Sequence, residues 1–390
     1  MSNTSIPAAV RQIVQGNSAF TLKLYKILSK QPGNVFFSPF SVHTALAMLH
    51  QGARQDTATI LGKVLQIPEA ESTAEGYKWI INQLKSIQSV ILRIANKIYV
   101  KDDEEFVKEF QNTVKEYFYS DLESFNYGNR RETVHSINEW VEEQTSGKIR
   151  KVVSESSITK DTSLFLVNAI YFKGDWLDKF TKSRTTKEPF YLDDQQMIQV
   201  EMMNGTKKVS YKFDDKLNAG ILRLAYKRRE IQMVIILPKE RNGIKDLEDK
   251  LWNVDFADVI NKDLCGVKAN LSLPKFKFST SMDLEGPLKE MGLDIIFNKE
   301  KADFKGMLVP KCERSLSVDK IFQKAYIDVN EEGSEAAAVT VVRVMMGECA
   351  RKERIIDFVV DHPAIFMLVQ SGTQDLNILF CGRLYQLKYH

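Results

Sequence analysis

An α+β fold is predicted from three observations. Helical periodicity dominates the chain up to about residue 120, strand-like runs take over from Leu164, and no β-α-β alternation joins the two halves. Residues 42–51 place apolar side chains at helical spacing, with Ser41 as the candidate N-cap because a hydroxyl there can accept from an otherwise unpaired first-turn amide. Gly52 and Pro68 are stop signals. Residues 106–118 repeat Phe and Val at similar intervals and read as an amphipathic helix. Strands are expected over 164–172, 231–237, 269–278, 358–369 and 377–383. One short helix returns at 287–291, with Pro287 in its first turn and Gly292 ending it.

The 390 residues contain no Pro/Gly/Ser-rich linker, low-complexity tract or fixed-period repeat, so a single domain over 1–390 is expected. At 44% hydrophobic and 27% charged, the chain has ample material for one large core. A net charge of +3 excludes the strongly basic balance of a nucleic-acid binder, and Lys148-Ile149-Arg150-Lys151 and Lys227-Arg228-Arg229 read as solvated faces. No apolar run reaches the roughly 18 residues a membrane span needs, so no membrane partner is expected. Residues 1–20 carry no basic segment followed by an apolar one, which points to the cytoplasm; an extracellular protein whose leader was removed is the alternative. The four cysteines, Cys265, Cys312, Cys349 and Cys381, have neither metal-ligand spacing nor the density of a disulfide framework. Sequons at Asn3, Asn204 and Asn270 matter only in a secreted chain.

Catalytic constellations are not found. The chain lacks G-x-S-x-G, H-E-x-x-H, C-x-x-C and P-loop signatures, so neither an enzyme nor a metal or other cofactor is expected. Of the five histidines, His43 and His50 share one helix and suit packing or surface roles, while His362 precedes Pro363 on extended backbone and reads as structural. The unusual segment is Glu331 to Val342. Read as a strand, one face carries Ser334, Ala336, Ala338, Thr340 and Val342, all uncharged and small at the start, while Glu335, Ala337, Val339 and Val341 take the other. Read as an Ala-rich helix it is equally periodic, and pattern alone does not separate the two.

Several motifs carry a family resemblance. Glu331-Glu332-Gly333-Ser334-Glu335-Ala336-Ala337-Ala338, Asp361-His362-Pro363 and Ile378-Leu379-Phe380-Cys381-Gly382-Arg383 resemble the reactive-loop hinge and C-terminal strands of the serpins, the serine protease inhibitor family. Asn34-Val35-Phe36-Phe37-Ser38-Pro39-Phe40-Ser41, Ile137-Asn138-Glu139-Trp140-Val141, Val167-Asn168-Ala169-Ile170-Tyr171-Phe172 and Leu273-Pro274-Lys275-Phe276 are similar to further segments of that family, in order along the chain. The resemblance implies a large central, mainly antiparallel sheet with two smaller sheets, surrounding helices and an exposed reactive loop at about 331–357. It implies an inhibitor cleaved in that loop, which traps the acyl-enzyme by inserting the loop as a new strand. A vacancy in the central sheet is expected to receive it, and a non-inhibitory carrier or chaperone is the alternative. Glu331, Gly333, Ser334, Glu335, Ala336, Ala337 and Ala338 would form the hinge, and Ser38, Ser41, Asn168 and Trp176 would lie where the sheet opens. Gln323 stands where many relatives carry a histidine, so no titration near neutrality carries over to it.

The reactive bond is expected within Gly347, Glu348 and Cys349, since the family's spacing from Glu331 and the Cys349-Ala350-Arg351 pattern place it one residue apart. The expected partner is a serine endopeptidase, with papain-like cysteine proteases as an alternative, and the chain is expected to act as a monomer.

Overall fold

A computed structural model describes residues 6–102, 104–309, 316–333, 355–371 and 375–387. The helices are α1 (Ala8–Leu28), α2 (Pro39–Gly52), α3 (Gln55–Leu65), α4 (Ala70–Ser86), α5 (Lys108–Phe118), α6 (Arg130–Gln144), α7 (Ile244–Leu251), α8 (Phe256–Asn261) and α9 (Glu285–Leu288). The strands are β1 (Val35–Phe37), β2 (Val90–Lys101), β3 (Asp121–Phe125), β4 (Leu164–Gly174), β5 (Thr186–Tyr191), β6 (Met197–Asp214) and β7 (Ala219–Ala225). They continue with β8 (Ile231–Pro238), β9 (Cys265–Pro274), β10 (Phe276–Asp283), β11 (Lys320–Val329), β12 (Ile355–Val359), β13 (Ala364–Gln370) and β14 (Asn377–Leu384).

Two sheets result among the described residues. The larger runs β1-β14-β13-β8-β7-β6-β9-β12, with β5 on β6; the smaller runs β10-β11-β4-β2-β3. The two small sheets expected from the sequence are thus one ladder, because β6 is long enough to pair β5 at one end and β7 at the other. The five-stranded sheet has two antiparallel pairings, β10–β11 and β2–β4, and two parallel ones, β11–β4 and β2–β3. Its inward face, including Ile321, Ala325, Ile327 and Val329 of β11, joins a buried cluster running from Val10 to Leu387. Its outward face buries Tyr99, Phe165, Phe322 and Tyr326 with Ile137 and Val141 of α6.

The boundaries correct three expectations. Ser38, not Ser41, caps α2: its hydroxyl accepts from the Ser41 amide, and Pro39 sits where its missing N–H costs nothing. The run at 269–278 breaks at Lys275 into β9 and β10, which belong to different sheets. The run at 358–369 breaks before Ala364, because Pro363 withholds an amide from the ladder and residues 360–363 cross between strands. No helix among the described residues is long and apolar enough to cross a membrane.

Candidate functional site

The parallel seam between β11 and β4 is closed. Lys320–Ile327 pair directly with Phe165–Phe172 in eight consecutive register positions. The expected vacancy is therefore absent, since ladder hydrogen bonds satisfy both strand edges. Gln323 and Asn168 face each other at the middle of this seam. Both are essentially buried, as are Ser38 and Ser41 at the start of α2 beneath the sheet.

Buried polar groups must be paired, and these four pair with one another. The Gln323 amide Nε2 donates to Asn168 Oδ1 (2.9 Å), Ser41 Oγ (3.1 Å) and Ser38 O (2.9 Å). Gln323 Oε1 accepts from the Ser38 backbone amide at 3.1 Å. Ser41 Oγ donates to Asn168 Oδ1 at 2.7 Å, and Ser38 Oγ donates to Leu379 O at 2.6 Å. Asn168 Nδ2 continues the chain by donating to Asn96 Oδ1 on β2. A single cluster of neutral groups thus ties β2, β4, β11 and α2 together across the seam.

A tight reversal stands where β11 ends. Gly333 N donates to Asn330 O at 3.0 Å, and the two residues form an antiparallel bridge. Gly333 has φ +108°, and a Cβ there would lie 2.3 Å from Gly174 O and 2.4 Å from Trp176 N, so glycine is required by both backbone angle and space. The reversal is anchored to the segment following β4. Trp176 N donates to Glu332 O and Phe180 N to Glu331 O, both at 2.9 Å, and the Trp176 indole donates to Asn330 O at 2.9 Å. The Trp176 ring stacks on Tyr226 with centroids 4.2 Å apart.

Charge reinforces the seat. Glu332 lies 2.7 Å from Lys179 and 3.3 Å from Lys182, and the hydrogen bond from Lys179 leads the effects that hold its carboxyl below the usual range. Burial pushes the Glu331 carboxyl up, but its own backbone amide, the Thr185 hydroxyl (2.8 Å) and Lys275 (3.3 Å) outweigh this and leave it lowered. Both glutamates are therefore carboxylates at neutral pH.

The structure brings Ser38, Ser41, Asn168 and Gln323 together at mid-seam and Glu331, Gly333 and Trp176 at its end. Ser334, Glu335, Ala336, Ala337 and Ala338 of the hinge, and Gly347, Glu348 and Cys349 of the reactive bond, lie outside the described residues. Asn96, Asn330, Lys179, Lys182, Lys275 and Thr185 were not singled out from sequence. Only Asn330 left a local signal, as the first residue of an Asn-x-x-Gly turn. No group of three or more His, Cys, Asp or Glu residues among the described ones could hold a metal ion. His43 is buried, its Nδ1 on Tyr77 Oη and its Nε2 on Leu65 O at 2.9 Å; His362 lies between Asp361 Oδ1 (2.6 Å) and Pro238 O (2.8 Å).

Residues 15–387 match the family model described as Serpin (serine protease inhibitor). The chain is 35% identical to the leukocyte elastase inhibitor of Homo sapiens, over 96% of this chain and 99% of that protein. Among solved structures it resembles Serpin48, a highly specific serpin of the insect Tenebrio molitor, with a TM-score of 0.86 and 31% identity over 97% of this chain and 99% of that one. Human thyroxine-binding globulin, solved in complex with its hormone, is similar at a TM-score of 0.85 and 25% identity over 98% and 100% of the two chains.

Proposed function

The chain belongs to the serpin family, and we propose that it is an inhibitory member: a target protease cleaves its exposed loop, and the freed segment joins the five-stranded sheet while the protease is still attached as an acyl-enzyme. The observation that carries this reading is the parallel β4–β11 seam with the Asn330–Gly333 reversal at its end. A segment leaving that reversal runs antiparallel to β11. Because β4 is parallel to β11, the same segment is antiparallel to β4 as well. Insertion therefore replaces one parallel pairing by two antiparallel ones, adding ladder bonds of the slightly stronger kind.

The bridge also gives a register. If the inserting segment continues the Asn330–Gly333 pairing along β11, Ser334 would come opposite Val329, Ala336 opposite Ile327, Ala338 opposite Ala325 and Thr340 opposite Gln323. Those β11 residues are all buried on the inward face, which matches the small, uncharged face of the segment. On this reading the mid-seam cluster is a latch. It satisfies buried amides and hydroxyls while the seam is closed, and exchanges partners when Thr340 arrives.

The chemistry of the trap belongs to the protease. Its nucleophile attacks the carbonyl of the residue before the cut, the peptide nitrogen leaves, and an ester to the loop forms. A serine endopeptidase is the proposed target, with cleavage within Gly347–Cys349; Gly347 before the cut suits a small specificity pocket, and a papain-like cysteine protease is the finer alternative. A single domain over 1–390 acting as a cytoplasmic monomer completes the reading. Mixing the protein with leukocyte elastase, chymotrypsin and a papain-like protease tests it. A complex that survives SDS, with release of a fragment beginning at Glu348 or Cys349 by mass spectrometry, is expected for at least one of them. Clean cleavage at 347–349 without complex in every mixture would overturn the inhibitory reading in favour of a carrier.

A further inference from the structure

Away from the hinge, a cleft of about 430 Å³ opens between β6, β7 and the start of β9. Lys208, Arg223, Arg229 and Lys268 line it, and none of the described residues lining it is acidic. Lys208 and Arg229 are exposed at the rim, and Lys268 is half-buried. Arg223 is the informative member. It projects from β7 opposite Ser210, is half-buried, and its Nε has no hydrogen-bond partner among the described residues. Burial lowers its pKa, and no carboxylate among the described residues acts to restore it. Among the described residues no counterion faces this partly desolvated guanidinium, which is unfavourable, and the exposed cations Lys208 and Arg229 beside it add to the cost. Cations that serve only solubility avoid both conditions.

Leu177, Val209 and Val267 supply apolar wall between these charges. A second lobe of about 310 Å³ shares Lys208, Arg229 and Lys268 and is lined also by Lys207 and Asp178, whose charges match each other at 3.1 Å. The combined space exceeds what one phosphate needs and falls in the range of small-ligand sites. We propose that this cleft binds a small organic or inorganic anion carrying at least two phosphate or sulfate groups. The Arg223 guanidinium takes one oxyanion, as its fixed fork of N–H donors favours, and Lys208 and Arg229 neutralise the second group from the rim.

Calorimetric titration of the full chain tests this with two probes at constant ionic strength, pyrophosphate and a disulfated disaccharide, which separate the phosphate and sulfate sources. Saturable one-to-one binding of at least one probe is expected, weakened at least tenfold by Arg223→Gln and severalfold by the rim variant Lys208→Gln, which carries no folding risk. Lys151→Gln, in the other basic cluster, leaves affinity unchanged. Absence of saturable binding by both probes, or binding by both variants equal to wild type, would overturn the proposal, as would equal thermal stabilisation by acetate at matched ionic strength.

Discussion

Replacing Gln323 by Ala isolates the latch. The substitution removes the two N–H donors of Nε2, which Ser38 O, Ser41 Oγ and Asn168 Oδ1 share, and the acceptor Oε1. The losses are unequal. Ser41 Oγ and Asn168 Oδ1 keep each other at 2.7 Å, and Ser38 O still accepts from Val42 N at 3.3 Å. The Ser38 amide, by contrast, loses the partner it has in the cluster. One orphaned buried donor costs about 1–3 kcal/mol and the lost net bonding about 1 kcal/mol more, so the native form is expected to lose roughly 2–4 kcal/mol. At an unfolding entropy of ~2.1 cal/mol/K per residue, the 390 residues convert this into a fall of about 2–5 °C in the melting temperature of the uncleaved protein. Differential scanning calorimetry reads it. Gln323→Glu should be worse at neutral pH, because a carboxylate brings no donor to Asn168 Oδ1 and Ser38 O, and should recover as acid protonates it. A shift below about 1 °C in both variants, against this estimate, would refute the claim that the cluster holds the seam shut.

Three further outcomes are expected. Gly333→Val forces a side chain into positive φ and against Gly174 O, at a backbone cost of about 1–3 kcal/mol; native melting temperature and the rate of SDS-stable complex formation should both fall. Ser334→Arg puts a charge opposite buried Val329 and slows insertion, so more inhibitor is consumed per protease trapped; an unchanged stoichiometry in an active-site titration would count against the proposed register. Burial lowers the His43 pKa to about 4; because the folded value lies below the unfolded one, His43 contributes stability that is present above about pH 6.5 and lost as pH falls toward 4. His43→Gln should flatten the stability profile over that window in a pH series of denaturant melts.

What the sequence disclosed was local in character. Helix 42–51 and strand 231–237 rest on periodicity, and each stands within a residue or three of its expected place. What it withheld depended on pairing across distance. Ser38 and Ser41 are equally good caps by composition; Pro39 and the Gln323 contact to the Ser38 amide decide between them. Asn96 joins the latch only because β2 and β4 align it with Asn168. The ion pairs of Glu331 with Lys275 and of Glu332 with Lys179 join residues more than 50 positions apart and have no sequence signature. The closed seam was likewise invisible, since a chain that must accept a strand later and a chain that has room for one already read alike.

A crystal structure of the loop-cleaved protein tests the central idea most directly. Residues 334–342 should lie hydrogen-bonded between β4 and β11, with Ser334 beside Val329, Thr340 beside Gln323, and the direct Gln323–Asn168 contact gone. A cleaved molecule in which Lys320–Ile327 still pair with Phe165–Phe172, the severed segment lying outside the sheet, would contradict it.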